Sequence, residues 1–334
     1  MGNATARHAW IDIAKALAIL LVVLNHQLTY FASLDWSRDA ASMPFWTGVS
    51  NVFLPIRVPL FFLASGLLAA RAVERDWSEV WRGRVARYAW LYLLWALIYL
   101  ALVPRWPAFG LSDLAPQTHL ARIVAGVSLA WYLWALPLVF LVARATRSLP
   151  TWLVLGAALL LALAPLPHMY SGNVLRCLPF FLAGVRLPDL AWRVPRLASP
   201  GSIALALTAY AALLLLPPEM RRAIGPVMEL GGVTLLALSC AFVARHWRGS
   251  ARAGRWLGER TLPIYVLHFQ LLTALALIVP PLGGSQVLLA LYPLAGCALA
   301  VGLALGLHRA LRAAGLRWLF ELPSIAIRPA LRRA

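Results

Sequence analysis

The stretch from Ala6 to Phe31, ARHAWIDIAKALAILLVVLNHQLTYF, is long and apolar enough to cross a bilayer, yet it carries Asp12, Lys15 and His26. A charge inside a spanning helix is costly when it faces hydrocarbon, so such groups face protein or water and mark function by default. With about 100° of rotation per residue, Lys15 and His26 fall within about 20° of one another around the axis, and Asp12 lies about 60° from Lys15. One face of this helix is therefore a polar stripe. At about 1.5 Å per residue, Lys15 and His26 stand roughly 16 Å apart along it.

The rest of the chain repeats the pattern of long apolar runs. Ten helices are expected, at about 11–31, 49–70, 85–104, 125–144, 151–167, 173–187, 201–217, 224–244, 261–281 and 286–308. The fifth and sixth are short enough to be tilted or re-entrant. With 62% hydrophobic and 13% charged residues among 334, the chain reads as an all-α polytopic membrane protein rather than a soluble enzyme. It forms one membrane domain over 1–334, with a short cytoplasmic tail at about 309–334. The first run is expected to remain as an anchor: it is too long for a cleavable signal, and no small-residue cleavage site follows it. Cys177, Cys240 and Cys297 lie in apolar runs without metal-ligand spacing and read as packing residues, so no metal site is expected.

A net charge of +18 raises the question of nucleic acid, but the basic residues sit in short loops between apolar runs, where they set topology. The lipid bilayer, not nucleic acid, is the partner this charge implies. If the N-terminus is cytoplasmic, twenty-two Lys and Arg residues fall on the inner side, five on the outer side, and Lys15, Arg57 and Arg176 within helices. That bias supports an even number of crossings with both termini inside. Trp10, Trp46, Trp106, Trp152 and Trp247 flank helix ends as interfacial anchors do.

Topology assigns depth. Lys15 falls near the inner end of the first helix and His26 in its outer third. Arg57 lies at a level comparable with His26, Arg176 and Glu229 lie in outer parts of their helices where they can pair, and His268 lies in the inner half of the ninth. Each would be costly facing lipid, so they are expected to converge on a hydrated interior. His26 can serve as a general base near neutral pH, and a fixed guanidinium such as Arg57 can stabilise an oxyanion. Arg84 and Arg87, three apart at the start of the third helix, share a face and suit a phosphorylated ligand from the cytoplasm.

These segments resemble the integral-membrane acyltransferase-3 family, and most closely its fucose O-acetylase-like branch. WIDIAKALAILLVVLNH resembles the opening signature, in which a basic residue is followed after ten others by histidine. PIRVPLFFLASGLLAA, the Arg84/Arg87 pair, AWYLWALPLVF, LPFFLAGV and LGERTLPIYVLH follow in the family's order. The resemblance implies a multi-pass O-acetyltransferase of the bacterial inner membrane, with a role in polysaccharide biosynthesis. Such an enzyme takes an acyl group, commonly acetyl, from cytoplasmic acyl-CoA, with acetyl-CoA the expected co-substrate, and needs no permanently bound cofactor. The acceptor is a hydroxyl of an extracytoplasmic polysaccharide or lipid-linked sugar.

By that resemblance His26 is catalytic and Lys15, Arg84 and Arg87 serve the acyl-CoA donor, while Arg57 joins the catalytic pair on its depth and chemistry alone. Asp12, Ser65, Trp131, Arg176, Glu229 and His268 are read as supporting residues. The Lys15–His26 separation is comparable with an extended pantetheine arm. The chain departs from the family where Lys15 replaces the usual Arg, where Arg57 replaces His, and where Ala130 precedes WYL in place of His. A rival reading is a transporter of a glycan or small solute, but the two related halves with matched broken helices that many carriers show are absent from the sequence.

Overall fold

The computed structural model describes residues 2–37, 40–102, 116–164, 171–279 and 285–323, and every regular element among them is helical. The expected anchor Trp106 and the tail from residue 324 onward lie outside the described residues. The chain opens with α1 (Gly2–Ser33), α2 (Met43–Phe53), α3 (Arg57–Val73) and the short α4 (Trp77–Val80). A π-helical turn at Trp81–Ala86 leads into α5 (Arg87–Leu102), followed by α6 (Pro116–Val124), α7 (Trp131–Ala145), α8 (Thr151–Leu163) and α9 (Ser171–Arg186). Then come α10 (Leu190–Leu197), α11 (Pro200–Leu214), α12 (Pro218–Ala223), α13 (Gly225–His246), α14 (Arg248–Gly258), α15 (Thr261–Ile278) and α16 (Gln286–Ala313).

Each of the ten expected segments contains a helix. Among the described residues, six spans are long and apolar enough to cross a bilayer: Ala9–Ser33, Met43–Val73, Gly83–Leu102, Gly225–His246, Thr261–Ile278 and Gln286–Ala313. α10 and α11, bent by 99° where they meet, make a seventh if taken together. α7 and α8 are apolar but have 15 and 13 residues. At about 1.5 Å per residue, α8 is roughly 20 Å long against a hydrocarbon core of about 30 Å.

The expected single helix over 49–70 is two helices. Pro55 has no amide hydrogen and its ring crowds the carbonyl one turn back, so α2 ends before it and α3 restarts at Arg57. α1 is the central helix and packs against α3, α13, α14, α15 and α16. Its Trp10 is not an interfacial anchor: it is 1% exposed, and its indole N–H donates to the Ala191 carbonyl of α10 at 2.9 Å. Trp46 is buried as well and donates to the Ala290 carbonyl of α16. Trp152 and Trp247 are exposed, as anchors would be.

Two close crossings fix the frame of the site. Gly66 of α3 lies against the backbone of Phe181 of α9, and Gly184 of α9 lies against Leu63 and Leu67 of α3. Small residues let backbones approach this closely, and dispersion then holds helices that share a lipid-like environment. On the other side of α1, Gly254 and Gly258 of α14 sit on Ile13 and Asp12. The three cysteines are buried and free.

Candidate active site

The stripe on α1 walls two cavities placed one above the other along the helix. Lys15 lines an inner one of about 160 Å³, together with Ser65 of α3, Arg84 of the π turn, Tyr88 of α5 and Thr261 of α15. Ile19, Val22 and His26 line an outer one of about 580 Å³. Positions 15, 19, 22 and 26 follow the helical repeat, so one face of α1 serves both. Phe61, Tyr132 and Tyr265 belong to the walls of both cavities.

Those three rings form the constriction between the chambers. Tyr132 meets Phe61 edge-on, with centroids 5.0 Å apart, and Tyr265 at 5.7 Å. The Tyr132 hydroxyl is 2.7 Å from Ser65 Oγ. The Tyr265 hydroxyl donates to the Leu129 carbonyl at 3.1 Å and accepts from the Tyr132 backbone N–H at 3.2 Å. Ser65 was expected to support the site; the three aromatic residues were not singled out. Tyr132 and Tyr265 do lie within the WYL and IYVLH strings, which was the available signal.

His26 packs against two rings of α15: His268, with centroids 5.3 Å apart, and the edge of Phe269 at 5.6 Å. His268, expected in the inner half of its helix, is brought level with His26 by this contact. Its Nδ1 faces the carbonyl oxygens of Tyr265 at 2.7 Å and Ile264 at 3.1 Å. A nitrogen held against two carbonyls carries the proton, so Nε2 is the lone-pair position. That Nε2 is buried without a hydrogen bond. The imidazole is thus preset as an acceptor beside His26.

Arg57, Trp131, Arg176, Glu229 and His268 line the outer chamber with His26, so the structure assembles that part of the expected set. Arg176 Nη2 donates to Glu229 Oε1 at 2.5 Å, which is the expected pairing. Asn173 and Arg222, not singled out from sequence, join this wall. In the inner chamber Lys15 is 3.8 Å from Asp12, its i,i+3 neighbour, and Arg84 donates to the Leu68 carbonyl at 3.3 Å. Arg87 is not part of that wall. It is the first residue of α5, with its guanidinium 5.9 Å from the Tyr88 ring. The π turn widens the helix just before it, so the α-helical spacing that put Arg84 and Arg87 on one face does not apply. Among the described residues no three His, Cys, Asp or Glu side chains converge as a metal site.

The model of the acyltransferase-3 family, described as an acyltransferase domain, matches residues 8–309, and the chain belongs to that family. It is a multi-pass membrane protein, and the family match spans nearly the whole chain. Among curated proteins it is similar to the nodulation protein NolL of Sinorhizobium fredii, 28% identical over 198 residues, covering 54% of this chain and 49% of that protein. NolL of Mesorhizobium japonicum is 26% identical over 185 residues, covering 52% and 46%. The inner membrane protein YcfT of Escherichia coli is 25% identical over 199 residues, covering 53% and 56%. The matched region therefore spans about half the length of these relatives. No solved structure matches the chain.

Proposed function

We propose that the chain is a membrane O-acyltransferase that moves an acyl group, acetyl in the first instance, from cytoplasmic acyl-CoA to a hydroxyl of an extracytoplasmic glycan or lipid-linked sugar. The observation that carries this reading is the pair of chambers along one face of α1, with Lys15 and Arg84 in the inner and His26 and Arg57 in the outer. A cationic inner mouth suits the phosphates of CoA, and the aromatic constriction suits a narrow thioester arm. Twenty-two inner against five outer basic residues support both termini inside, and hence an inner chamber open to the cytoplasm. Ten crossings of the bacterial inner membrane by one domain, and a place in the fucose O-acetylase-like branch, belong to the same proposal.

In the reaction, His26 takes the proton of the acceptor hydroxyl as its oxygen attacks the thioester carbonyl carbon. Arg57 faces the oxyanion that forms. Collapse breaks the C–S bond, and the leaving thiolate takes the proton back from the imidazolium, giving an O-acyl ester and free CoA. His268, its Nδ1 held by the Ile264 and Tyr265 carbonyls, packs beside His26 and fixes the place of its ring.

Purified protein in proteoliposomes with isotope-labelled acetyl-CoA tests the reading. CoA release with transfer of label to a glycan hydroxyl is expected, and His26→Ala lowers it by about 10²–10⁴-fold, the usual contribution of a general base. Normal acetyl transfer by that variant overturns the role of His26, and solute flux without acyl transfer overturns the enzyme in favour of a carrier.

A further inference from the structure

The outer chamber has two unlike ends. Around His26 and His268 it is walled by α1 and α15. At the other end stand Asn173 and Arg176 of α9 and Glu229 of α13, with the indole of Trp131 on the wall of the same chamber. The mechanism above makes no use of that second end.

Glu229 is 3% exposed. Arg176 reaches it across the first residue of α13: a Cβ added at Gly225 would stand 2.9 Å from Arg176 Nη2. Glycine there leaves the guanidinium a passage over the helix start to a carboxylate one turn further on. Only Oε1 takes that contact, at 2.5 Å, while Oε2 is buried with no hydrogen bond among the described residues. A carboxylate present only to neutralise an arginine is best served by a two-pronged pair that uses both oxygens. A buried charged acceptor left unmade is costly, and ion pairs of this kind are weak contributors to stability.

We propose that the Arg176–Glu229 end of the outer chamber is the acceptor subsite, and that it takes a vicinal diol of a pyranose sugar. This rests on the acyl-transfer reading and adds the chemistry of what it acylates. Glu229 Oε2 has the lone pairs to accept from neighbouring hydroxyls. Arg176 holds the carboxylate in place by its other oxygen, and the Asn173 amide can both donate and accept. Trp131 supplies an apolar wall for the C–H face of a sugar ring. Held there, a third hydroxyl of the same ring extends toward His26 within one chamber.

The test compares two alcohols as acceptors for labelled acetyl-CoA, using the full chain in proteoliposomes: methyl α-galactopyranoside, which has a vicinal diol, and cyclohexanol, which has one hydroxyl. The readout is the ratio of acetyl transferred to each, which a general loss of activity does not move. The wild-type protein is expected to prefer the galactoside. Glu229→Gln lowers the ratio about tenfold, the effect of losing a charged hydrogen bond. Removing both charges at once, with Arg176→Met and Glu229→Met, leaves no uncompensated buried ion and protects folding. It is expected to lower the ratio as far.

A wild-type ratio in either variant overturns the subsite, and the double variant in particular would show that Glu229 only neutralises Arg176. CoA release by the wild type without preference for the diol overturns it too. A wild-type protein that neither releases CoA nor acetylates any alcohol overturns the acyl-transfer reading itself.

Discussion

The α3–α9 crossing carries a prediction whose size follows from the backbone. A Cβ at Gly184 would stand 2.5 Å from the Leu63 carbonyl oxygen and 2.6 Å from the Leu67 amide nitrogen, where ordinary contact begins at 3.4 Å. The atoms it meets are main chain and cannot swing aside, so Gly184→Ala forces the helices apart by about 1 Å. Overpacked cores lose about 1–3 kcal/mol, and two unyielding backbones put this site at the upper end. The same displacement reaches the site, because α3 carries Arg57, Phe61 and Ser65 while α9 carries Arg176. A misplacement of about 1 Å costs on the order of 10²-fold in rate. The buried free thiols of Cys177, Cys240 and Cys297 supply the stability assay, since a maleimide labels them only as the fold opens. Gly302→Ala in α16 is the control, for nothing lies within 4 Å of its added Cβ. That control is expected to keep or slightly gain stability, alanine being about 1 kcal/mol the better helix former. Equal thiol protection and equal acyl transfer in the Gly184 and Gly302 variants would refute the claim that this crossing sets the geometry.

Two further substitutions probe the chambers. Tyr132→Ala removes the ring shared by both cavities and the bond to Ser65, so it is expected to relax the preference for acetyl-CoA over butyryl-CoA; an unchanged ratio of the two transfer rates counts against the constriction. Lys15→Met is expected to raise the acyl-CoA KM by about tenfold, and Lys15→Arg to retain it, because a charge and not its shape faces the donor phosphates; a KM unaffected by Lys15→Met removes Lys15 from the donor site.

The stripe on α1 was legible because two local rules suffice for it: the helical repeat places Lys15 and His26 on one face, and the cost of charge in lipid turns that face inward. The Arg176–Glu229 pairing was legible for a similar reason, two opposite charges at one depth. What escaped the sequence depends on departures from a regular helix or on distant backbone. Arg84 and Arg87 share a face only in an α-helix, and the turn that holds Arg84 is π. Trp10 has the position of an interfacial anchor, but α10 returns over it and accepts its N–H, a contact 181 residues away in sequence. The seats of Gly254 and Gly258 on α1 have no signature beyond two glycines in a basic segment. The count of expected segments came from hydropathy alone, which does not register that α8 ends at 13 residues.

The outer chamber also sits where helices begin. Arg57 and Trp131 are the first residues of α3 and α7, Asn173 is in the first turn of α9, and Glu229 is four residues past the first residue of α13. Non-helical backbone at membrane depth is tolerated where it lines a cavity, and Leu54, Pro55 and Leu129 at the interruptions before α3 and α7 do line it. Each helix start carries a partial positive charge of roughly half a unit. A guanidinium at such a start, as Arg57 is, gains nothing from the helix dipole and is placed against it. Its cost makes sense only if the chamber is built to meet negative charge, such as that on a carbonyl oxygen under attack. Among the described walls Glu229 is the one carboxylate. The breaks before α3 and α7 are thus the means by which the chamber acquires its field.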